Sequence, residues 1–167
     1  LAETEHMVAS IRGRGEMPVC AAVLPRSLQD VERLLSAGAD VVGFGLDAAT
    51  PTVYERVKMP GSVPGQGQRA WRRQLALIET SSRLYPKRIG VHLIVGLGET
   101  EHDLVQLTQQ LVNATAIVAL FAFTPVRGTA MAGVPPPALD VYRRCQAARH
   151  LMTACGAGGR RRAIEDE

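Results

Sequence analysis

Four short apolar runs, each set apart from the next by a stretch with helical spacing, constrain this chain more than any other feature. The runs cover residues 18–24 (Pro-Val-Cys-Ala-Ala-Val-Leu), 40–46, 88–95 and 116–123. Each is too short for an ordinary helix and too continuously apolar for burial on one side only, which predicts buried strands. Between them the spacing turns helical. Residues 3–13 place Met7, Val8 and Ile11 on one side, and Ser27 stands as an N-cap with Asp30 three residues on. Leu28, Val31, Leu34 and Leu35 form the stripe of that second helix, which Gly38 ends. Thr50-Pro51 is a cap and first-turn pair for a short helix. A loop over 58–68, carrying Pro60, Gly61, Pro64, Gly65 and Gly67, precedes a helix marked by Trp71, Leu75 and Ile78. Thr100 and Asp103 cap a helix whose stripe is Leu104, Leu107 and Leu111, and a last helix covers 138–154. Strands alternating with helices predict an α/β fold with a parallel sheet covered by helices. About four strands cannot close a barrel, so the sheet is either an open doubly wound one or part of a (β/α) barrel with its helices outside.

A chain of 167 residues, 46% hydrophobic, suits one domain, expected over 1–156 with a polar tail at 157–167. The formal net charge is only +3, and Glu165, Asp166 and Glu167 offset Arg160, Arg161 and Arg162. With aromatics at 4%, neither a basic face nor stacking platforms point to nucleic acid. No run reaches membrane-spanning length and no signal-peptide pattern opens the chain, so a cytoplasmic protein with no membrane partner is expected. Cys20, Cys145 and Cys155 are too scattered for a disulfide framework or a close-spaced metal motif, and no metal ligand is expected in this chain. Cys145 shares a helix face with Val141, Ala148 and Met152, which reads as packing.

Function is read from the polar residues at the strand ends. In parallel α/β folds ligands sit at the carboxyl ends of the strands. Asp47 directly follows the second run, Glu99 follows Ile94-Val95-Gly96-Leu97-Gly98, and Arg127 follows the fourth. Gly43 and Gly45 lie inside a strand, where glycine weakens the sheet unless something must approach closely. Two carboxylates beside bare backbone suit a ligand with adjacent hydroxyls, such as a ribose, and attract a cation such as a sulfonium. Each residue also has a plainer reading. Asp47 and Glu99 favour the N-terminal ends of the helices that follow them. Gly96 and Gly98 turn the chain, and no Lys-Ser/Thr follows to make a P-loop. A single histidine such as His92 is more often a satisfied core group, and Arg127 reads as well as a surface charge as a ligand clamp.

Three segments resemble the radical S-adenosylmethionine (SAM) enzymes. Gly-Val-His-Leu-Ile-Val-Gly-Leu-Gly-Glu-Thr (90–100) is similar to the strand-five signature Gly-x-Ile-x-Gly-x-x-Glu: Ile94, Gly96 and Glu99 match, while His92 replaces the first glycine. Gly-Phe-Gly-Leu-Asp-Ala-Ala-Thr-Pro (43–51) resembles the strand-four segment that meets the ribose. Asp47 carries over there, with Gly45 where biotin synthase has asparagine. Phe-Thr-Pro-Val-Arg-Gly-Thr-Ala-Met (123–131) resembles the strand-six segment that contacts the adenine. The likeness extends over roughly residues 17 to 155 in matching order, and it is nearest to the biotin synthase and lipoyl synthase branch. Residues 90–100 and the Tyr142-Arg143-Arg144-Cys145-Gln146 helix are also similar to one component of the two-protein lipoyl synthases.

The resemblance implies a partial radical SAM barrel, strands three to six of six. It implies SAM contacts at Gly45, Asp47, Ile94, Gly96, Glu99, Phe123, Pro125 and Val126, with His92 and Arg127 facing substrate. In the family a reduced [4Fe–4S] cluster cleaves SAM to a 5′-deoxyadenosyl radical, here for sulfur insertion into a small-molecule or lipoyl-type substrate. The family's Cys-x-x-x-Cys-x-x-Cys loop has no counterpart in the sequence. With the first two strands it would lie before Leu1, so this chain alone is expected to be inactive, and no catalytic residue is assigned. The alternative is a non-catalytic module or remnant paired with a cluster-bearing partner chain.

Overall fold

The computed structural model describes residues 1–156; the polar tail expected at 157–167 lies outside them. In chain order the elements are α1 (Ala2–Arg12), β1 (Cys20–Val23), α2 (Leu28–Ser36), β2 (Val41–Asp47), α3 (Pro51–Lys58), α4 (Gln66–Leu84), β3 (Ile89–Val95), α5 (Glu101–Asn113), β4 (Ile117–Ala122) and α6 (Leu139–Gly156). The strands pair in parallel in the spatial order β1-β2-β3-β4. A sheet whose parallel strands follow chain order, joined by right-handed crossovers, receives its helices on one side. Here α2 packs on β2, α4 on β2 and β3, and α5 and α6 on β4. Four parallel strands and six helices make a mixed α/β architecture compatible with part of a β/α barrel.

Local capping explains where several helices start. Ser27 Oγ accepts the Asp30 N–H at 3.2 Å, and Thr50 Oγ1 accepts that of Val53 at 3.2 Å ahead of Pro51. At α5, Thr100 Oγ1 accepts from Asp103 N at 3.1 Å while Asp103 Oδ2 accepts from Thr100 N at 2.9 Å, a reciprocal capping box. The Thr100 backbone N–H, and then its hydroxyl, hold the Asp103 carboxyl below its usual range.

The core lies between the sheet and the helices. Val42, Phe44 and Leu46 of β2 and Ile89, Val91 and Leu93 of β3 are fully buried, met by Val31 and Leu34 of α2, Ile78 of α4 and Leu111 of α5. The opposite face carries the registered rows Ala22–Gly43–Gly90–Ile117, Gly45–His92–Ala119 and Ile94–Phe121. On it Ile117 is 44% and Phe121 49% exposed. The expectation of a sheet buried on both faces is therefore corrected. The runs read as continuously apolar because glycine and alanine occupy much of the second face; they expose little side chain and need no cover.

The first helix is corrected as well. Of Met7, Val8 and Ile11 only Val8 is buried; Met7 and Ile11 are exposed. α1 packs against α2, and polar contacts hold it: Arg12 donates to Gly38 O at 2.9–3.0 Å and pairs with Asp40, and Arg33 pairs with Glu5 at 2.9 Å. Helix α4 starts at Gln66, within the expected 58–68 loop. Glu55 of α3 braces its first turn: Oε1 accepts from the Gly67 backbone N–H at 3.0 Å and Oε2 from the Gln68 side-chain Nε2 at 3.1 Å.

Candidate functional site at the carboxyl edge of the sheet

β2 ends irregularly. The β2–β3 register shifts between Gly45 and Asp47, and Asp47 takes a φ of 62°, left-handed backbone that only a few non-glycine residues tolerate. The Ala48 N–H donates to Leu46 O at 2.7 Å, so the chain pivots tightly about Asp47. The Trp71 indole N–H donates to Ala48 O at 2.9 Å, anchoring the pivot to buried α4. The Asp47 carboxylate is thereby folded over Gly45: a β-carbon there would lie 3.6 Å from both carboxylate oxygens. Lys58, at the end of α3, donates to Asp47 Oδ2 at 2.6 Å and to Gly45 O at 2.7 Å, and lies 5.7 Å from the centre of the Tyr54 ring. Oδ1 accepts no hydrogen bond from the described residues. Backbone held in such a conformation by a bulge, a packed indole and an ion pair is a mark of functional sites.

The turn after β3 is built differently. Glu99 Oε1 accepts from Gly96 N at 2.6 Å, closing the turn on itself, while Glu99 Oε2 is buried with no partner among the described residues. Gly96 has a φ of 101°, and a β-carbon there would fall 2.8 Å from Pro137 Cδ, so the 135–137 segment closes over it. Arg56 of α3 donates to Leu97 O. Arg56, Val57, Gly96, Leu97, Met131 and Val134 are among the residues lining a cleft of about 570 Å³ beside this turn. Behind it, burial pushes the Cys145 thiol above its ordinary range, with the Glu101 and Glu99 carboxylates adding to the shift, so this cysteine is a packing group.

The last segment is more open. Phe123 N donates to Val95 O at 2.8 Å, extending the β3–β4 pairing by one residue, and its ring is half-buried against the core. Pro125 is half-buried, whereas Val126 and Arg127 are exposed; a turn closed from Thr129 to Val126 O follows them. On the uncovered face His92 stands edge-on to Phe121 with ring centres 5.3 Å apart, one residue pair below Ile94.

The fold thus gathers Gly45, Asp47, Ile94, Gly96, Glu99 and the Phe123–Val126 segment along one edge of the sheet, with His92 just inside it. Arg127 points to no partner among them. Residue-by-residue reading missed Lys58, Arg56, Phe121 and Pro137, whose places depend on contacts across the fold; only the basic end of α3 (Arg56, Lys58) hinted at a cationic side to the site. Among the described residues no three His, Cys, Asp or Glu side chains gather closely enough to hold a metal ion. No helix among them is long and apolar enough to cross a membrane. No protein-family profile matches the chain, and no curated protein matches its sequence.

Proposed function

We propose that this chain is the SAM-holding section of a radical SAM enzyme of the biotin and lipoyl synthase type, with the cluster ligands supplied from outside residues 1–156. The observation that carries this reading is Asp47: a carboxylate at a strand end, held over bare backbone by a bulge and a left-handed φ, with Oδ1 open. A carboxylate accepts from two adjacent hydroxyls, which suits a ribose. Gly45 keeps the approach clear, and Lys58 fixes the carboxylate from its other side. Glu99 holds the Gly96 turn in shape, Ile94 and the Phe123–Val126 segment would offer the adenine an apolar edge, and His92 and exposed Arg127 would face substrate. When bound with a reduced cluster, SAM supplies the hydrogen-abstracting radical; this chain's residues bind and orient it. Titration calorimetry with SAM tests the reading. Asp47→Asn is expected to weaken binding by about tenfold, with the far-UV circular dichroism unchanged. No saturable heat with the unmodified chain would end it.

The uncovered face supports a second reading, a module that docks on a separate cluster-bearing chain. Ile117 and Phe121 stand half-exposed there beside a glycine- and alanine-lined surface. Sedimentation velocity of the chain alone and mixed with a chain bearing Cys-x-x-x-Cys-x-x-Cys distinguishes them: a heavier species only in the mixture favours the module.

A further inference from the structure

On the same carboxyl edge of the sheet as Asp47, a second cavity opens where β1 ends. It has a volume of about 280 Å³, just below the roughly 300–1,000 Å³ typical of ligand sites. Leu24, Pro25 and Arg26, directly after β1, form one wall; Tyr54 of α3 and Ala70, Arg73, Gln74 and Leu77 of α4 form the rest. Its composition is unusual in three ways. Gln74 is only 9% exposed, and its amide is oriented by Tyr54, whose hydroxyl donates to Oε1 at 3.1 Å. That leaves Gln74 Nε2 buried with no acceptor among the described residues, a group that ordinarily finds a partner because an unpaired one is costly. Neither guanidinium at the rim is paired: among the described residues no carboxylate bridges to Arg26 or Arg73, although Arg12, Arg33 and Arg144 all have one. Finally, Leu24 stands 55% exposed at the mouth, next to half-buried Ala70 and Leu77, so the cavity has an apolar side as well as a cationic one.

We propose that this cavity binds a small amphiphilic anion, a carboxylate or phosphate head on a short hydrocarbon body. The head lies between the Arg26 and Arg73 guanidiniums and accepts from Gln74 Nε2, and the body lies against Leu24, Ala70 and Leu77. Two guanidinium forks and an amide donor match the lone pairs of a carboxylate or phosphate. The apolar wall accounts for a body that a free inorganic ion lacks. None of its lining residues belongs to the set proposed for SAM, although Tyr54 of its wall stands against Lys58 of that site; the ligands differ, and the two readings can fail independently.

Calorimetry and ¹H–¹⁵N correlation spectra of the whole chain, titrated with hexanoate, hexyl phosphate and inorganic phosphate, test it. Saturable binding of hexanoate or hexyl phosphate is expected, with shifts centred on residues 24–26 and 70–77; the tighter of the two names the head group. Arg73→Gln and Arg26→Gln, both at exposed positions, are each expected to weaken it by about tenfold. Gln74→Leu removes the unpaired Nε2 and, with it, the acceptor of the Tyr54 hydroxyl; it is expected to keep the fold yet lose affinity. Binding unchanged in both arginine variants overturns the proposal, as does a Gln74→Leu protein that gains stability and binds as before. Inorganic phosphate binding as tightly as hexyl phosphate overturns the amphiphilic ligand class, and the absence of saturable binding by any probe overturns the site.

Discussion

The two faces of the sheet are made from the same four strands and differ in nearly every other respect. On the helix side, Val42, Phe44, Leu46, Ile89, Val91 and Leu93 have no exposed surface and belong to one apolar cluster with Val31, Leu34, Ile78 and Leu111. On the other, Gly43, Gly45, Gly90, Ala22 and Ala119 hold the surface low, and His92, Ile94, Ile117 and Phe121 rise from it, His92 edge-on to Phe121. The first face is a finished core, whose burial stabilises the fold by roughly 25 cal/mol per Å². The second contributes little to stability and leaves room. A low, glycine-rich surface leading to a strained carboxylate is what a ligand or a partner element requires, and it is what a core avoids.

The comparison breaks most decisively at two of the three cysteines, Cys20 and Cys145. Cys20 is exposed on the uncovered face, whereas Cys145 lies on the buried side of α6 with its thiol pushed up. Iodoacetamide labelling read peptide by peptide is expected to modify Cys20 at least ~100-fold faster than Cys145, which reacts only through opening. Comparable rates would mean that the uncovered face is covered in solution. Next in size, Phe44→Ala is expected to cost about 3–5 kcal/mol in urea unfolding, while Phe121→Ala costs under about 1 kcal/mol. An equal loss at Phe121 would show that its face is packed against something. The smallest effect lies in the helix layer itself. Thr100→Ala is expected to cost about 1 kcal/mol through the lost cap of α5. The reciprocal partner gives a pH signature. The folded-state pKa of Asp103 is lowered, so its contribution is present above the unfolded value of about 3.9 and fades as pH falls through the folded one. The stability gap between the unmodified chain and Asp103→Asn should therefore be open at neutral pH and close in acid. A gap that persists at the acid end would remove the capping carboxylate from the account.

How legible each feature was in the sequence depended on how far apart its partners lie. The strand-end positions of Asp47 and Glu99 were readable, because a strand is a local run and its end is the next polar residue. The bulge and the positive φ at Asp47 were not, since nothing in Gly-Leu-Asp-Ala announces them. Lys58, eleven residues away, became part of the site only when α3 folded back along β2. The start of α4 was misplaced for the same reason: its capping group, Glu55, sits on another helix, and the local sequence around Gly65 reads only as loop.

The sequence by itself determined the α/β alternation, the caps at Ser27, Thr50 and Thr100, and the helix stripes that meet the sheet. Each of these follows from backbone hydrogen bonding or from side-chain period within a dozen residues. Tertiary structure alone decided that one face of the sheet stays open, that Pro137 closes over Gly96, and that Arg26 and Arg73 flank a common cavity. Those outcomes depend on which distant surfaces meet. A run of glycine, alanine and valine satisfies a strand equally well whether its second face meets a helix, a ligand or nothing.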